Sequence, residues 1–149
     1  MNRRQFVLAA GTGAVVASSR PAQESASREL EDISPIELEK LAATAHACLA
    51  SGEDCLRHCG ELLAEGDKSL GQCNKAVLNM LALCTAVSRV ASYRTAEAAR
   101  IRALAAVCGD ICRDCSAACK PHVAHHAPCR ECFEHCEACA EACDTIVHG

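Results

Sequence analysis

Fourteen cysteines lie in this 149-residue chain, most of them at steps of three and four residues, and none precedes Cys48. They are Cys48, Cys55, Cys59, Cys73, Cys84, Cys108, Cys112, Cys115, Cys119, Cys129, Cys132, Cys136, Cys139 and Cys143. The nine from Cys108 onward follow the three-four rhythm within two uninterrupted series. Such a rhythm places residues on one face of an α-helix, whereas a strand needs a period of two. The chain must therefore form helices whose inward stripe is sulfur.

Caps and breakers divide the sequence into four helices. Ser34-Pro35-Ile36-Glu37 combines a capping serine, a proline in the first turn and a glutamate at the third helical position. It predicts a helix from Pro35 to about Glu65, closed by Gly66. A second helix is expected from about Leu70 to Ala91. Thr95 is the expected cap of a third, which runs to Lys120 and stops at Pro121. His122 to Ala127 reads as a loop, and Pro128 opens a fourth helix reaching about Val147. Short connections between long helices favour an all-α fold, an antiparallel up-down-up-down four-helix bundle. No transmembrane run is evident.

All fourteen cysteines fall on the seams of these helices. The seam reads Leu38, Leu41, Ala45, Cys48, Gly52, Cys55, Cys59 and Leu62 in the first helix. It reads Cys73, Val77, Met80, Cys84, Val87 and Ala91 in the second, and Ala98, Ile101, Ala105 and Cys108 through Cys119 in the third. In the fourth the cysteines lead to Ile146. Aromatic residues are almost absent, with no Trp, one Tyr and two Phe, so sulfur must fill volume that aromatics usually supply. A buried cysteine can act as a small hydrophobe. Fourteen on four facing seams exceed what packing requires.

The N-terminus has a different character. Arg3-Arg4 followed by Phe6-Val7-Leu8 resembles a twin-arginine export signal. The mildly apolar stretch behind it is shorter than the about 20 residues that span a bilayer. Residues 1–20 are thus expected to be an export signal, 21–33 a polar tether and 34–149 the four-helix bundle. Loss of Arg3 and Arg4 would take the net charge from -4 to -6. The expected location is periplasmic or otherwise extracytoplasmic. Export in a folded state would let the thiols fold reduced.

The chemistry follows from helix geometry. Residues four apart have Cβ atoms about 5–6 Å apart. Cys55/Cys59, Cys108/Cys112, Cys115/Cys119, Cys132/Cys136 and Cys139/Cys143 can each bring two sulfurs onto one ion. Soft thiolates select Cu(I), which accepts few ligands, so a continuous column suits multiple Cu(I) ions per chain. Zinc or cadmium is an alternative, although zinc prefers separated quartets. A disulfide-stapled secreted bundle is the structural rival. Disulfides need Cβ atoms about 3.5–4.5 Å apart, so same-helix pairs overshoot and only cross-bundle bridges would serve. Ferredoxin-like spacing is absent.

The twin-arginine start, the repeats Cys108-x-x-x-Cys112-x-x-Cys115-x-x-x-Cys119 and Cys129-x-x-Cys132-x-x-x-Cys136-x-x-Cys139-x-x-x-Cys143, and the helical organisation resemble the exported bacterial copper storage proteins. The resemblance spans nearly all of the chain from Ser34. It implies a bundle, usually a tetramer, that stores Cu(I) on interior thiolates for copper enzymes. Exported members place methionine and histidine at the bundle mouth, whereas here only Met80 lies beyond the signal. His122, His125 and His126 are the candidate substitutes for metal entry, on the loop sharing an end with the first turn of the bundle. The other end is plugged by Leu38, Leu41, Val87, Ile101 and Ile146. His46, His58 and His135 lie off the seams and are expected at the surface.

Other classes fit less well. There is no basic patch for nucleic acid. A thiol oxidoreductase needs one or two exposed, low-pKa cysteines, so no enzyme is expected. Copper enzymes or copper chaperones are the expected protein partners.

Overall fold

A computed structural model describes residues 33–149, so the expected export signal and all of the tether except Ile33 lie outside the described residues. Four helices make up the bundle: α1 (Pro35–Ala64), α2 (Gly71–Tyr93), α3 (Ala98–Cys119) and α4 (Ala127–His148). Single 3-10 turns, Lys68–Leu70 and Lys120–His122, precede α2 and follow α3. α1 packs on α2 and α4, and α3 packs on the same two, closing a ring of neighbours. This is the up-down-up-down bundle expected from the short connections.

The start of α1 is built as its sequence predicts. The Glu37 amide donates to Ser34 Oγ at 3.2 Å, and the Ser34 amide donates to Glu37 Oε2 at 2.8 Å. Two orphan amides are thereby satisfied reciprocally. These bonds also hold the Glu37 carboxyl below its ordinary range, the Ser34 side-chain bond first. At the other end, Gly66 takes φ 96°. The Gly66 amide reaches Leu63 O and the Asp67 amide reaches Leu62 O, at 3.1 and 3.0 Å. That is a Schellman closure, and a side chain at position 66 would be strained in it.

The α2–α3 connection departs from expectation. α2 continues past Ala91 to Tyr93 and ends on Arg94, in the left-handed region at φ 53° with its amide on Val90 O at 3.2 Å. Thr95 does not cap α3. Glu97 stands at the N-cap, because Arg94 turns the chain and Thr95 and Ala96 are used to cross to the third helix. The Glu97 carboxylate binds Arg100 Nε at 3.1 Å instead of a backbone amide. At the next connection the histidine loop is shorter than expected: Pro121 sits inside the 3-10 turn and α4 begins at Ala127.

The predicted seams are the core. Every seam residue is buried except Leu62 and Ala98, which are half-buried at helix ends. Leu38, Leu41, Val87, Ala91, Ile101, Ala105 and Ile146 form an aliphatic plug at one end. Burying each of its larger side chains is worth about 1.5–3 kcal/mol, which identifies this end as the conventional part of the core. Against the expectation of no such run, the stretch Lys68–Tyr93 is long and apolar enough to cross a membrane by length and composition. In the bundle its Cys73, Val77, Met80, Cys84 and Val87 face inward and are buried.

Candidate metal centre

All fourteen thiols are unbridged and completely buried. Their sulfurs gather into five groups whose members lie within 4.8 Å of one another: Cys48/Cys84/Cys112/Cys139, Cys55/Cys59/Cys73/Cys129, Cys55/Cys119/Cys132, Cys108/Cys139/Cys143 and Cys115/Cys132/Cys136. Every cysteine belongs to at least one group. Cys55, Cys132 and Cys139 belong to two.

The grouping adds cross-helix partners to the same-helix pairs. Cys55 and Cys59 do approach, at 3.9 Å, and Cys132/Cys136 and Cys139/Cys143 each share a group. Cys108/Cys112 and Cys115/Cys119 also interact within their pairs, although the two members of each fall in different groups. Each group draws on at least two helices, and Cys48/Cys84/Cys112/Cys139 takes one thiol from each of the four. The closest approaches across helices include Cys73–Cys119 at 3.3 Å, Cys59–Cys73 and Cys84–Cys112 at 3.7 Å, and Cys55–Cys129 and Cys115–Cys132 at 3.8 Å. Cys48 and Cys84, isolated on their own helices, find their partners this way. The reason is geometric: inward side chains of facing helices interdigitate, and short cysteines meet near the bundle axis.

Sharing Cys55 and Cys132 links three groups into a near compartment toward the histidine loop: Cys55, Cys59, Cys73, Cys115, Cys119, Cys129, Cys132 and Cys136. Sharing Cys139 links the other two into a far compartment toward the plug: Cys48, Cys84, Cys108, Cys112, Cys139 and Cys143.

Burial penalises thiolate charge, and neighbouring S–H groups offset that penalty. The column accordingly divides into donors and acceptors. Cys119 is lowered to about 6, chiefly by its bond with Cys115 and further by Cys55 and Cys73. Cys112 is lowered to about 2, chiefly by Cys108. Cys132 is raised by Cys115, yet its bonds with Cys119, Cys136 and Cys55 bring it down to about 5. Cys55, Cys84 and Cys136 are pushed up as the donors, through Cys119, Cys108 and Cys112 first.

The histidines depart from expectation in part. His126 stands at the N-cap position of α4 without a side-chain capping bond, and its Nδ1 lies 2.9 Å from Nε2 of His58 on α1. The His122 ring stands edge-on to His126 at 6.1 Å. His125 is exposed. His58 is therefore half-buried and part of the mouth, which sequence spacing missed because the partner sits 68 residues away. Asp67, on the α1–α2 turn, is held low chiefly by its bonds with Ser69 and to a small extent by the nearby His126 and His122, so turn and loop share one end of the bundle. His135 is also half-buried. Its Nδ1 is buried without a hydrogen-bond partner, and its carbonyl accepts the Cys48 thiol at 3.0 Å. Only His46 lies at the surface as expected.

Two thiolates on one two-coordinate ion stand about 4.6 Å apart, twice a metal–sulfur bond of about 2.3 Å as judged from zinc. The groups meet that spacing, and sulfurs shared between groups suit bridged, low-coordinate clusters of a soft ion. A helical bundle packed with grouped, unbridged thiols is a polythiolate metal-binding protein. The model of the copper storage protein family matches residues 35–148, and the chain belongs to that family.

Solved structures agree in fold. A cytosolic copper storage protein from Streptomyces lividans, with five coppers, superposes with a TM-score of 0.70 at 24% identity, covering 77% of this chain and 95% of that one. The Streptomyces lividans protein Ccsp loaded with 10 copper equivalents gives 0.69 at 24%, covering 76% and 85%. No curated protein sequence matches the chain.

Proposed function

We propose that this protein stores copper by taking multiple Cu(I) ions onto its core thiolates, for supply to copper enzymes or for detoxification. The observation that carries the reading is the five thiol groups, three of whose sulfurs serve two groups each. Zinc would find two quartets here, but it has no use for shared triads. Cu(I) accepts two or three bridging thiolates. Membership of the copper storage family supports the same ion.

Ions enter at the His58/His122/His126 end, because the opposite end is closed by aliphatic side chains. No thiol has any exposed surface, so entry requires those imidazoles to move. The chain is exported by the twin-arginine route. That rests on Arg3-Arg4 and the apolar stretch behind them alone, and the Streptomyces lividans relatives do not bear on it. The bundle assembles with further copies, as the resemblance implies. Leu78 and Val107, about half exposed on the outer faces of α2 and α3, are apolar surface for such an assembly to cover.

Anaerobic titration of the reduced protein with Cu(I) against a competing chelator tests the reading, with free thiols counted before and after. Tight uptake of at least as many ions as the five thiol groups supports a store. Uptake of one or two ions points to a chaperone. Failure of all uptake, with few free thiols in the exported protein, favours the disulfide-stapled alternative.

A further inference from the structure

The thiol column is interrupted at one level on two of its four helices, α1 and α2. On the α1 seam Gly52 separates Cys48 from Cys55, and on α2 Val77 and Met80 separate Cys73 from Cys84. Neither helix offers a thiol there, and this is where the near and far compartments part. Cys136 reaches across the junction on α4, touching Cys112 and Cys48 on one side and Cys115 and Cys132 on the other.

One more sulfur occupies the level. Met80 is fully buried, and its Cε lies only 2.5 Å from where a Cβ on Gly52 would stand. The side chain runs from the α2 seam to the α1 seam, so Sδ, one bond behind Cε, lies between them. Gly52 leaves the notch that admits it. Filling a notch does not require sulfur. Leucine has similar volume and helix propensity, and Leu, Ile, Val and Ala are the other buried core hydrophobes beside the cysteines. Met80 is the only methionine apart from Met1.

We infer that Met80 is a further copper ligand, whose thioether joins the two thiol compartments. A thioether is soft enough for Cu(I). It carries no proton to displace and no charge, so it holds the ion less firmly than a thiolate, as a transfer position requires. With the far end plugged, every ion bound by Cys48, Cys84, Cys108, Cys112, Cys139 or Cys143 must pass the Met80 level. The inference rests on the reading that Cu(I) enters at the histidine end.

Selenium absorption spectroscopy on selenomethionine-labelled protein isolates this residue, with labelled Met80→Leu supplying the Met1 background. The expected result is a copper neighbour about 2.3–2.5 Å from selenium in the loaded parent, a distance judged from metal–sulfur bonds, and none in the variant. Stopped-flow loading of Met80→Leu should keep the fast filling phase and slow the later phase several-fold. Unchanged circular dichroism and free-thiol count verify the fold of the variant. Normal copper uptake with no copper beside selenium overturns the ligand while leaving the storage reading intact. An unaltered time course overturns the transfer role. Loss of all uptake in the parent overturns both.

Discussion

His58 on α1 and His126 at the N-cap of α4 hold Nε2 and Nδ1 2.9 Å apart, over the end of the bundle where Cys59, Cys73 and Cys129 gather. Two imidazole nitrogens bound to one tetrahedral ion, each at about 2.0–2.1 Å, stand about 3.3–3.4 Å apart, only slightly wider than this hydrogen-bonded pair. The pair can receive an ion by tilting its rings. His58→Ala combined with His126→Ala should slow Cu(I) uptake several-fold in stopped-flow experiments and leave the final ion count unchanged. An unaltered rate would place the entrance elsewhere.

Thiol pairs should differ in cost according to group and not according to helix spacing. Cys115 and Cys119 lie one turn apart, yet they belong to two groups that both use Cys132. Cys108 and Cys143 lie on different helices and share one group. Cys115→Ala with Cys119→Ala should therefore lower the anaerobic Cu(I) stoichiometry more than Cys108→Ala with Cys143→Ala. Equal losses would restore the picture of independent same-helix pairs.

The apo protein should carry thiolate below neutral pH. Cys119 and Cys132 are lowered to about 6 and about 5, against an ordinary thiol value of 9.0. A lowered pKa favours the charged form above it, so thiolate ultraviolet absorbance should rise between about pH 5 and 7. An unfolded control, with ordinary thiols, should stay silent until about pH 8. By the same sign, stability contributed by these thiolates is present above the unfolded value and fades as pH falls through the folded one. An absorbance step confined to alkaline pH would contradict the donor-acceptor arrangement.

Ser34→Ala should destabilise the bundle by about 1 kcal/mol, the usual cost of a lost N-cap, read from denaturant midpoints. The Glu37 carboxyl is held low mainly by Ser34. Its contribution is present above the unfolded carboxylate range and is lost as pH falls through the folded value. The difference between parent and variant should shrink on acidification, and a pH-independent difference would show that the reciprocal bond is not formed.

Local signals carried the helices because each has a chemical cause within a few residues. The Ser34–Glu37 box and Gly66 bounded α1 as the structure has them, and the three-four rhythm identified nearly every buried seam position. Thr95 misled because Thr is a good cap in isolation, whereas the start of α3 depended on how Arg94 turned the chain. His58 and His135 misled because distance from the seam was read as exposure. Residues flanking a seam face the neighbouring helix, and what they meet there depends on the pairing of helices.

The same division runs through the site. Sequence by itself determined that sulfur lines the interior, since side-chain direction on a helix follows from a period of 3.6 residues. It also determined the aliphatic end and the histidine end. Only the tertiary structure decided which sulfurs meet. That depends on the rotation and axial offset of four helices, and a shift of one residue along an axis, about 1.5 Å, changes every cross-helix partner. The split into near and far compartments, and the meeting of Met80 with Gly52, arise from that offset.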